Sequence, residues 1–279
     1  MKNLFVGLPM FFSARLTDAP TWYATLIAFV AFCLVSSAVY CINDVVDVKY
    51  DRMHPIKKNR PVASGAIKRS TAISMACTLA ILGLGLPSVL LGVNGVYTAC
   101  VCGTYLIINL AYSLWLKRVA ILDVALIALG FVLRVAAGAL ACDIWISPWI
   151  VCLTFLLTLM LALAKRRSEV ALCVETGVES RGNISDYSLK FLDPALAMLA
   201  AITTVSYIIY TVTPEVQQRF SSEYVYITAL FVILGLLRYL QLTLQTKQAS
   251  DPTKLMLSDH FIQGCLLAWG ATFLFIIYL

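Results

Sequence analysis

Residues 21–51 read TWYATLIAFVAFCLVSSAVYCINDVVDVKYD, and residues 21–42 of this stretch carry no charged side chain. A helix needs about 20 apolar residues to cross a hydrocarbon core of about 30 Å. This run is therefore long enough to span a membrane, and three aspartates follow directly at its end. The stretch predicts a transmembrane helix with a polar, acidic terminus.

The whole chain has the same apolar character. Of its 279 residues, 61% are hydrophobic and 13% are charged, and the mean hydropathy is +0.86. A soluble domain also needs a polar surface, which this composition cannot supply. We therefore expect an all-α integral membrane protein that forms one domain, 1–279, with nine transmembrane helices. The expected spans are 3–15 (short), 21–43, 71–91, 96–116, 122–142, 148–166, 191–211, 223–243 and 259–279. The alternative for the first, short segment is a position in the membrane interface.

The basic residues predict the orientation of these spans. Lys2 and the loops 44–70, 117–118, 165–190 and 244–258 hold 17 of the 21 Lys and Arg residues. Positive residues remain on the cytoplasmic side. This predicts a multi-pass inner or plasma membrane protein, N-in and C-out, whose active site faces the cytoplasm. An alternative with eight spans would move Lys2 outside and leave the other loops in place.

Cysteine and histidine do not point to a metal or disulfide site. The nine cysteines fall mostly within apolar spans without a CxxC motif, and the chain has two histidines. Small apolar residues of this kind pack within helices. We expect no disulfide framework, no zinc and no nucleic-acid partner, and we leave open whether the chain forms a homo-oligomer.

An acidic cluster ends the quoted stretch. At 3.6 residues per turn, its four polar side chains lie within about 100° of one helix surface. Three carboxylates this close repel one another unless a cation neutralises them. Oxygen ligands without Cys or His suit Mg²⁺, which often shares its coordination with a diphosphate. The pattern predicts an Mg²⁺ site formed by Asn43, Asp44, Asp47 and Asp51.

The alternative is a solvated helix end whose aspartates pair with Lys49 and Arg52. A basic loop, residues 54–65, follows the cluster, and Pro55 and Pro61 stiffen it. Lys57 and Arg60 of this loop could fold back toward a metal and contact phosphate oxygens. A basic loop is also what the cytoplasmic orientation alone predicts.

A second polar cluster lies in residues 112–138, YSLWLKRVAILDVALIALGFVLRVAAG. Asp123 and Arg134 fall on one stripe of the fifth expected span, about 16 Å apart along the helix axis. Arg134 would then lie near the middle of the membrane, where a charge is costly unless it is paired or faces a cavity. We expect it to contact substrate. The alternative is an arginine bound to other groups inside the helix bundle.

The two clusters resemble those of the UbiA-type prenyltransferase superfamily. Asn43, Asp47 and Asp51 match its first motif, and the second motif matches Tyr112, Lys117 and Asp123. Ile127 stands where typical prenyl-transferring members carry a further acid. The resemblance implies a helical bundle in which the first motif binds Mg²⁺ and a diphosphate.

Five further segments are similar to the phosphoribosyl-transferring branch of that superfamily: HPIKKNRPVASG, YSLWLK, GFVLRVAAG, LALAKRRSE and DPTKLMLSD. This likeness implies transfer of 5-phosphoribose from phosphoribosyl diphosphate (PRPP) to a polyprenyl phosphate of decaprenyl type. The lipid product would serve as precursor of an arabinofuranose donor for cell-wall polysaccharide. The alternatives are prenyl transfer to an aromatic or other acceptor, and an anion transporter.

The candidate residues follow from the clusters and the resemblance. The expected catalytic residues are Asp44, Asp47, Asp51, Lys117 and Asp123. The expected substrate contacts are Asn43, Lys57, Arg60, Tyr112, Arg118, Arg134, Lys165, Arg166 and Tyr187. Tyr187 falls in a segment, 179–193, whose Gly, Asn and Ser residues suit a lid; the alternative is a plain connector. Asp259 is expected to cap the last helix.

Overall fold

The computed structural model describes residues 2–13, 15–53, 57–176, 186–245, 255 and 258–278. Every secondary-structure element in this part of the chain is a helix. Seven helices are long and apolar enough to cross a membrane, and His260–Ile276 is a shorter apolar helix. The chain divides into two compact units, Met1–Ile146 and Ser147–Leu279, so the single domain stays a prediction.

The first unit begins with a 3₁₀ helix, Lys2–Gly7. Its α-helices are α1 (Leu8–Phe12), α2 (Ala19–Val46), α3 (Val48–Met53), α4 (Arg69–Leu90), α5 (Gly92–Leu114) and α6 (Leu122–Ala141). Helix α2 packs against α4, α5 and α6. The central position of α2 places the acidic cluster at its end beside the segments that follow α5.

Local chemistry determines where these helices begin and pack. The Asp18 carboxylate accepts a hydrogen bond from the Thr21 amide at 3.1 Å and caps the first turn of α2. Ile121, the residue immediately before α6, has a positive φ of 69°, which is uncommon for a β-branched residue. The fully buried side chains of Phe32 and Val35 form the core with the side chain of Tyr105.

The first expected span, 3–15, is not a continuous helix. The 3₁₀ helix Lys2–Gly7 and the five-residue α1 replace it, and they pack against α2 and α6. A Cβ atom added at Gly138 would lie 1.9 Å from the Val6 carbonyl oxygen, so the two backbones approach closely. The other eight expected spans each coincide with one helix, and the count of nine stays a prediction.

The second unit contains α7 (Pro148–Thr176), α8 (Leu189–Val212), α9 (Pro214–Phe220), a 3₁₀ helix (Tyr224–Thr228), α10 (Ala229–Gln245) and α11 (His260–Tyr278). Helix α8 packs against α7 and α10, and α11 packs against α10. Buried polar groups join these helices. The Tyr207 hydroxyl lies 2.8 Å from the Thr228 hydroxyl and accepts a hydrogen bond from the Trp269 indole at 2.6 Å.

The outer surfaces of the long helices are apolar. Ile81 on α4 is 70% exposed, Ile107 on α5 is 68% exposed and Leu267 on α11 is 74% exposed. A water-facing surface would carry polar side chains at such positions. Lipid is the environment that these helices suit, as the composition predicted.

Candidate active site

The acidic cluster lies where α2 meets α3. Helix α2 ends at Val46, Asp47 is its C-cap, and α3 starts at Val48. The Asp47 amide donates to the Asn43 carbonyl, and the Asp51 amide donates to the Asp47 carbonyl, both at 2.9 Å. The predicted single helix is thus interrupted at Asp47. Hydrogen bonding from residue i to i−4 nevertheless continues through it, so the acids keep their helical spacing.

Arg60 joins two of the three carboxylates. Its Nη1 atom lies 3.1 Å from Asp44 Oδ1 and 2.9 Å from Asp51 Oδ2. The Asp51 side chain is only 4% exposed, whereas that of Arg60 is 35% exposed. The basic loop therefore folds back onto the acidic cluster, as predicted, and its arginine neutralises a carboxylate that is otherwise buried.

Apolar packing holds this loop in place. Val62 and Ala63, which follow Arg60, are buried against Val48 of α3 and Ala72 of α4. Arg52 Nε donates to the Ala63 carbonyl at 3.1 Å. Arg52 thus anchors the loop backbone. The alternative for the acidic cluster required Arg52 to pair with an aspartate, and among the described residues the aspartates pair with Arg60 and Lys117 instead.

The third carboxylate, that of Asp47, pairs with Lys117 of the second predicted motif. Lys117 lies in the 3₁₀ helix Leu116–Arg118 that follows α5, and its Nζ atom is 2.5 Å from Asp47 Oδ1. Asp123 is fully buried in the first turn of α6, where a helix N-terminus favours an acid. The structure therefore brings Asp44, Asp47, Asp51, Arg60 and Lys117 together.

The other candidates of the first unit differ in exposure. Asn43, Lys57 and Tyr112 are half-buried, and Arg118 is exposed. Tyr112 lies on the last turns of α5, a few residues before Lys117. These side chains border the segments that carry the ion pairs, and their substrate contacts stay predictions.

The Arg134 guanidinium makes three hydrogen bonds and lies beside three aromatic rings. Its Nε donates to Asn3 Oδ1 at 2.9 Å, Nη1 to the Gly130 carbonyl at 2.6 Å, and Nη2 to the Tyr105 hydroxyl at 3.0 Å. Its guanidinium lies about 5 Å from the ring centres of three aromatic residues. With 4% of its surface exposed, Arg134 matches the alternative of an arginine bound inside the bundle.

The remaining candidates belong to the second unit. Lys165 is exposed, and the buried Arg166 pairs with Glu169 on the same helix at 2.5 Å. Arg167 has a structural partner set, because it contacts Asp193 at 2.7 Å and donates to the Thr243 and Leu244 carbonyls. Its guanidinium thereby joins α7 and α8 to the end of α10.

Tyr187 is buried, with 5% of its surface exposed, just before α8 begins. Whether the segment 179–193 forms a lid or a plain connector stays a prediction. Asp259 accepts the Ile262 amide at 3.0 Å, which confirms the predicted cap of α11. His54 and Pro55 of the basic loop, and the segments 177–185 and 246–254, lie outside the described residues.

Residues 4–263 match the UbiA prenyltransferase family. The chain belongs to this family. It is 33% identical to the decaprenyl-phosphate phosphoribosyltransferase of Corynebacterium glutamicum over 243 residues, covering 87% of this chain and 72% of that protein. It is 32% identical to the enzyme of the same name from Mycolicibacterium smegmatis over 253 residues, covering 88% of this chain and 78% of that protein.

Solved structures share the fold of this UbiA family member. A UbiA homolog from Archaeoglobus fulgidus, bound to GPP and Mg²⁺, superposes with a TM-score of 0.67 and 16% identity over 100% of both chains. The apo UbiA homolog from Aeropyrum pernix gives a TM-score of 0.67 with 14% identity over 96% of each chain. The predicted UbiA-type helical fold is thereby confirmed.

The ligand chemistry of the acidic cluster is of the kind that suits Mg²⁺. Its side chains offer carboxylate and amide oxygens, which are the ligands that Mg²⁺ prefers. Two of the carboxylates converge on one nitrogen atom of Arg60. Among the described residues, no three acidic, histidine or cysteine side chains lie close enough to hold an ion in their present positions. The fit therefore requires Arg60 to release the oxygens that it now holds.

Sequence reasoning missed two residues that position Arg134. Asn3 also donates to Cys33 Sγ at 3.1 Å and accepts from the Ser36 hydroxyl at 3.4 Å, so it links the N-terminal helix to α2. Tyr105 precedes Tyr112 by seven residues and shares its face of α5. That spacing was a usable signal for Tyr105, whereas nothing in the sequence paired Asn3 with a residue 131 positions away.

Proposed function

We propose that this UbiA family member transfers 5-phosphoribose from PRPP to a polyprenyl phosphate and releases diphosphate. The observation that carries the proposal is the gathering of three carboxylates with Arg60 and Lys117 at one membrane helix end. Anionic phosphates need such cations, and Mg²⁺ needs such acids. The substrate identity comes from the relatives named decaprenyl-phosphate phosphoribosyltransferase.

The residues divide into two groups with different tasks. Asn43, Asp44, Asp47 and Asp51 would hold Mg²⁺, which supplies positive charge that neutralises the diphosphate oxygens. Lys57, Arg60 and Lys117 would donate to the same diphosphate. Arginine and lysine suit this task because they hold phosphate oxygens by charge-assisted hydrogen bonds.

One bond forms and one breaks in the proposed reaction. The bond between ribose C1 and the diphosphate oxygen breaks, and the diphosphate leaves with the electron pair. An oxygen of the polyprenyl phosphate forms the new bond to C1. Because a phosphate monoester is anionic near pH 7, the acceptor needs no general base. Stabilisation of the leaving group by Arg60 and Lys117 should dominate the rate.

The remaining candidates complete the proposal. Tyr112, Arg118 and the buried Asp123 would shape the site around the ribose. We place the site on the cytoplasmic side of the membrane. For the second unit, sequence resemblance supports Lys165 and Arg166 as contacts for the ribose 5-phosphate or the lipid phosphate, and Tyr187 as a further contact. We assign Arg134 a positioning role in place of the expected substrate contact.

The test incubates membranes that contain the protein with Mg²⁺, polyprenyl phosphate and PRPP labelled in its ribose. We expect the label to move into an organic-soluble lipid, and Asp47→Asn to reduce that transfer about 100-fold. Absence of labelled lipid, or equal transfer by the variant, contradicts the proposal. Transfer from a labelled prenyl diphosphate to an aromatic acceptor would instead identify the chain as a prenyltransferase.

A further inference from the structure

Arg60 occupies the oxygens that a divalent ion would need. Its single Nη1 atom contacts Asp44 Oδ1 and Asp51 Oδ2, while Lys117 holds Asp47 Oδ1. Every carboxylate that is proposed to bind Mg²⁺ is therefore paired with a base of the chain itself. The five side chains of these ion pairs, three negative and two positive, carry a net charge of −1.

This pairing changes what a free metal ion meets. A divalent ion between Asp44 and Asp51 would lie within a few ångströms of the Arg60 guanidinium, and like charges at that distance repel strongly. Arg60 must leave before the ion can bind both carboxylates. The Asp51 side chain is only 4% exposed, whereas that of Arg60 is 35% exposed. If the guanidinium left without a replacement partner, water could hydrate the Asp51 carboxylate less well than the guanidinium.

A diphosphate provides the new partner that Arg60 needs. Its oxygens can accept the guanidinium hydrogen bonds that the carboxylates give up, and the freed carboxylates can then bind the ion. The side chain of Arg60 is 35% exposed, and its loop is anchored behind it by Val62 and Ala63. The arginine head can thus turn while its backbone stays in place.

We propose that Arg60 is a placeholder cation whose exchange couples the binding of metal to the binding of diphosphate. The inference rests on the proposed function only in assuming a metal-dependent diphosphate site. Metal alone binds weakly because it competes with Arg60, and diphosphate removes the competitor. By linkage, each ligand raises the affinity for the other by the same factor.

The first experiment measures the binding of Mn²⁺ alone to the full-length protein in detergent, by electron paramagnetic resonance of the free ion. Arg60→Gln should bind Mn²⁺ at least about 5-fold more tightly than the wild type. The matched control is Lys49→Gln, which removes one positive charge from an exposed position of α3. Equal or weaker Mn²⁺ binding by Arg60→Gln, or an equal gain in the control, overturns the inference.

The second experiment measures binding of ³²P-labelled inorganic diphosphate at saturating Mn²⁺ by equilibrium dialysis. Here the order should reverse, because Arg60 now contacts phosphate: the wild type should bind diphosphate at least about 5-fold more tightly than Arg60→Gln. Equal affinity overturns the inference. Thermal unfolding shows whether each variant is folded. If Arg60→Gln does not fold, Arg60→Lys replaces it, and its affinities should lie between those of the wild type and those expected of Arg60→Gln in both measurements.

These outcomes are separable from those of the transfer assay. Inorganic diphosphate carries no ribose, so the reversal can occur whether or not the chain uses PRPP. Labelled lipid without the reversal leaves the proposed function standing and removes the placeholder role of Arg60. The reversal without labelled lipid supports the placeholder role of Arg60 and contradicts the proposed function.

Discussion

Lys117 forms an ion pair with Asp47, a residue 70 positions earlier in the sequence. Asp47 caps the C-terminus of α2, and Lys117 lies in the short helix after α5. The pair therefore joins the two motifs that the sequence displays separately. Its two members are also proposed for different tasks, one toward metal and one toward phosphate.

The first prediction tests whether these two residues act as one unit. Lys117→Met should lower phosphoribosyl transfer about 100-fold, because one cation that stabilises the leaving diphosphate is lost. Asp47→Asn should cost a similar factor. The double variant should lose less than the product of the two factors, since residues of one catalytic unit are not additive. Initial rates of labelled-lipid formation provide the measurement.

A matched control separates this effect from a general loss of charge. Lys190→Met removes a lysine from an exposed position of α8 that has no proposed role in the site. It should change the rate less than 2-fold. Fully multiplicative losses in the double variant would show that Asp47 and Lys117 contribute independently.

The acidic cluster could be predicted because its signal is local. Asp44, Asp47 and Asp51 lie within two helical turns, so their spacing alone places them together. The stripe containing Asp123 and Arg134 was readable for the same reason. The length of the apolar runs also located eight helices, seven of them long enough to cross a membrane, because a lipid-facing helix is apolar along its whole length.

Contacts between distant segments could not be read in this way. The sequence predicted that Arg60 would fold back, but it did not show that one nitrogen would bridge Asp44 and Asp51. It also placed residues 3–15 in a span, because hydrophobicity does not distinguish a short buried segment from a crossing helix. The close approach of Val6 to Gly138 depends on tertiary packing, which periodicity does not encode.

The second prediction concerns Arg134. Arg134→Met removes hydrogen bonds to Asn3 and the Tyr105 hydroxyl and leaves these polar groups inside the bundle. Such a loss should lower the free energy of unfolding by about 1–3 kcal/mol. Thermal unfolding of the detergent-solubilised protein gives the shift. Arg134→Lys keeps the charge beside the aromatic rings and should be affected less.

The same variants distinguish the two interpretations of Arg134. A positioning role predicts that stability and transfer fall together, with Arg134→Lys recovering part of both. A substrate contact predicts unchanged unfolding and a raised KM for one substrate. The second pattern would return Arg134 to the list of substrate-binding residues.

The third prediction tests how tightly the N-terminal helix packs. Gly138→Ala places a Cβ atom 1.9 Å from the Val6 carbonyl oxygen, so the N-terminal helix has to shift away from α6. Overpacking of this kind should cost about 1–3 kcal/mol of unfolding free energy. Gly85→Ala is the control, because no atom lies within 4 Å of the added methyl group.

The control should be neutral, or more stable by about 0.5–1 kcal/mol, since alanine favours a helix interior over glycine. Denaturation of both variants under the same conditions provides the comparison. Equal stability of Gly138→Ala and Gly85→Ala would mean that the N-terminal helix does not contact α6 closely in the membrane protein.

The fourth prediction is a pH dependence in the second unit. Arg238 Nη2 lies 2.8 Å from Asp259 Oδ2, and this hydrogen bond, with the Ile262 amide, lowers the pKa of Asp259 below its usual 3.8. A carboxyl whose folded-state pKa is depressed stabilises the fold above its unfolded-state pKa. That stabilisation is lost as the pH falls through the folded-state value.

Asp259→Asn provides the measurement, because asparagine can still cap α11 but cannot form the ion pair with Arg238. The variant should have a lower Tm than the wild type near pH 7, and the difference should shrink as the pH falls below 3.8, the usual value of the carboxyl. Added salt should also reduce the difference, since the pair is partly exposed. A difference in Tm that stays constant from pH 7 to pH 3 would show that the ion pair does not stabilise the start of α11.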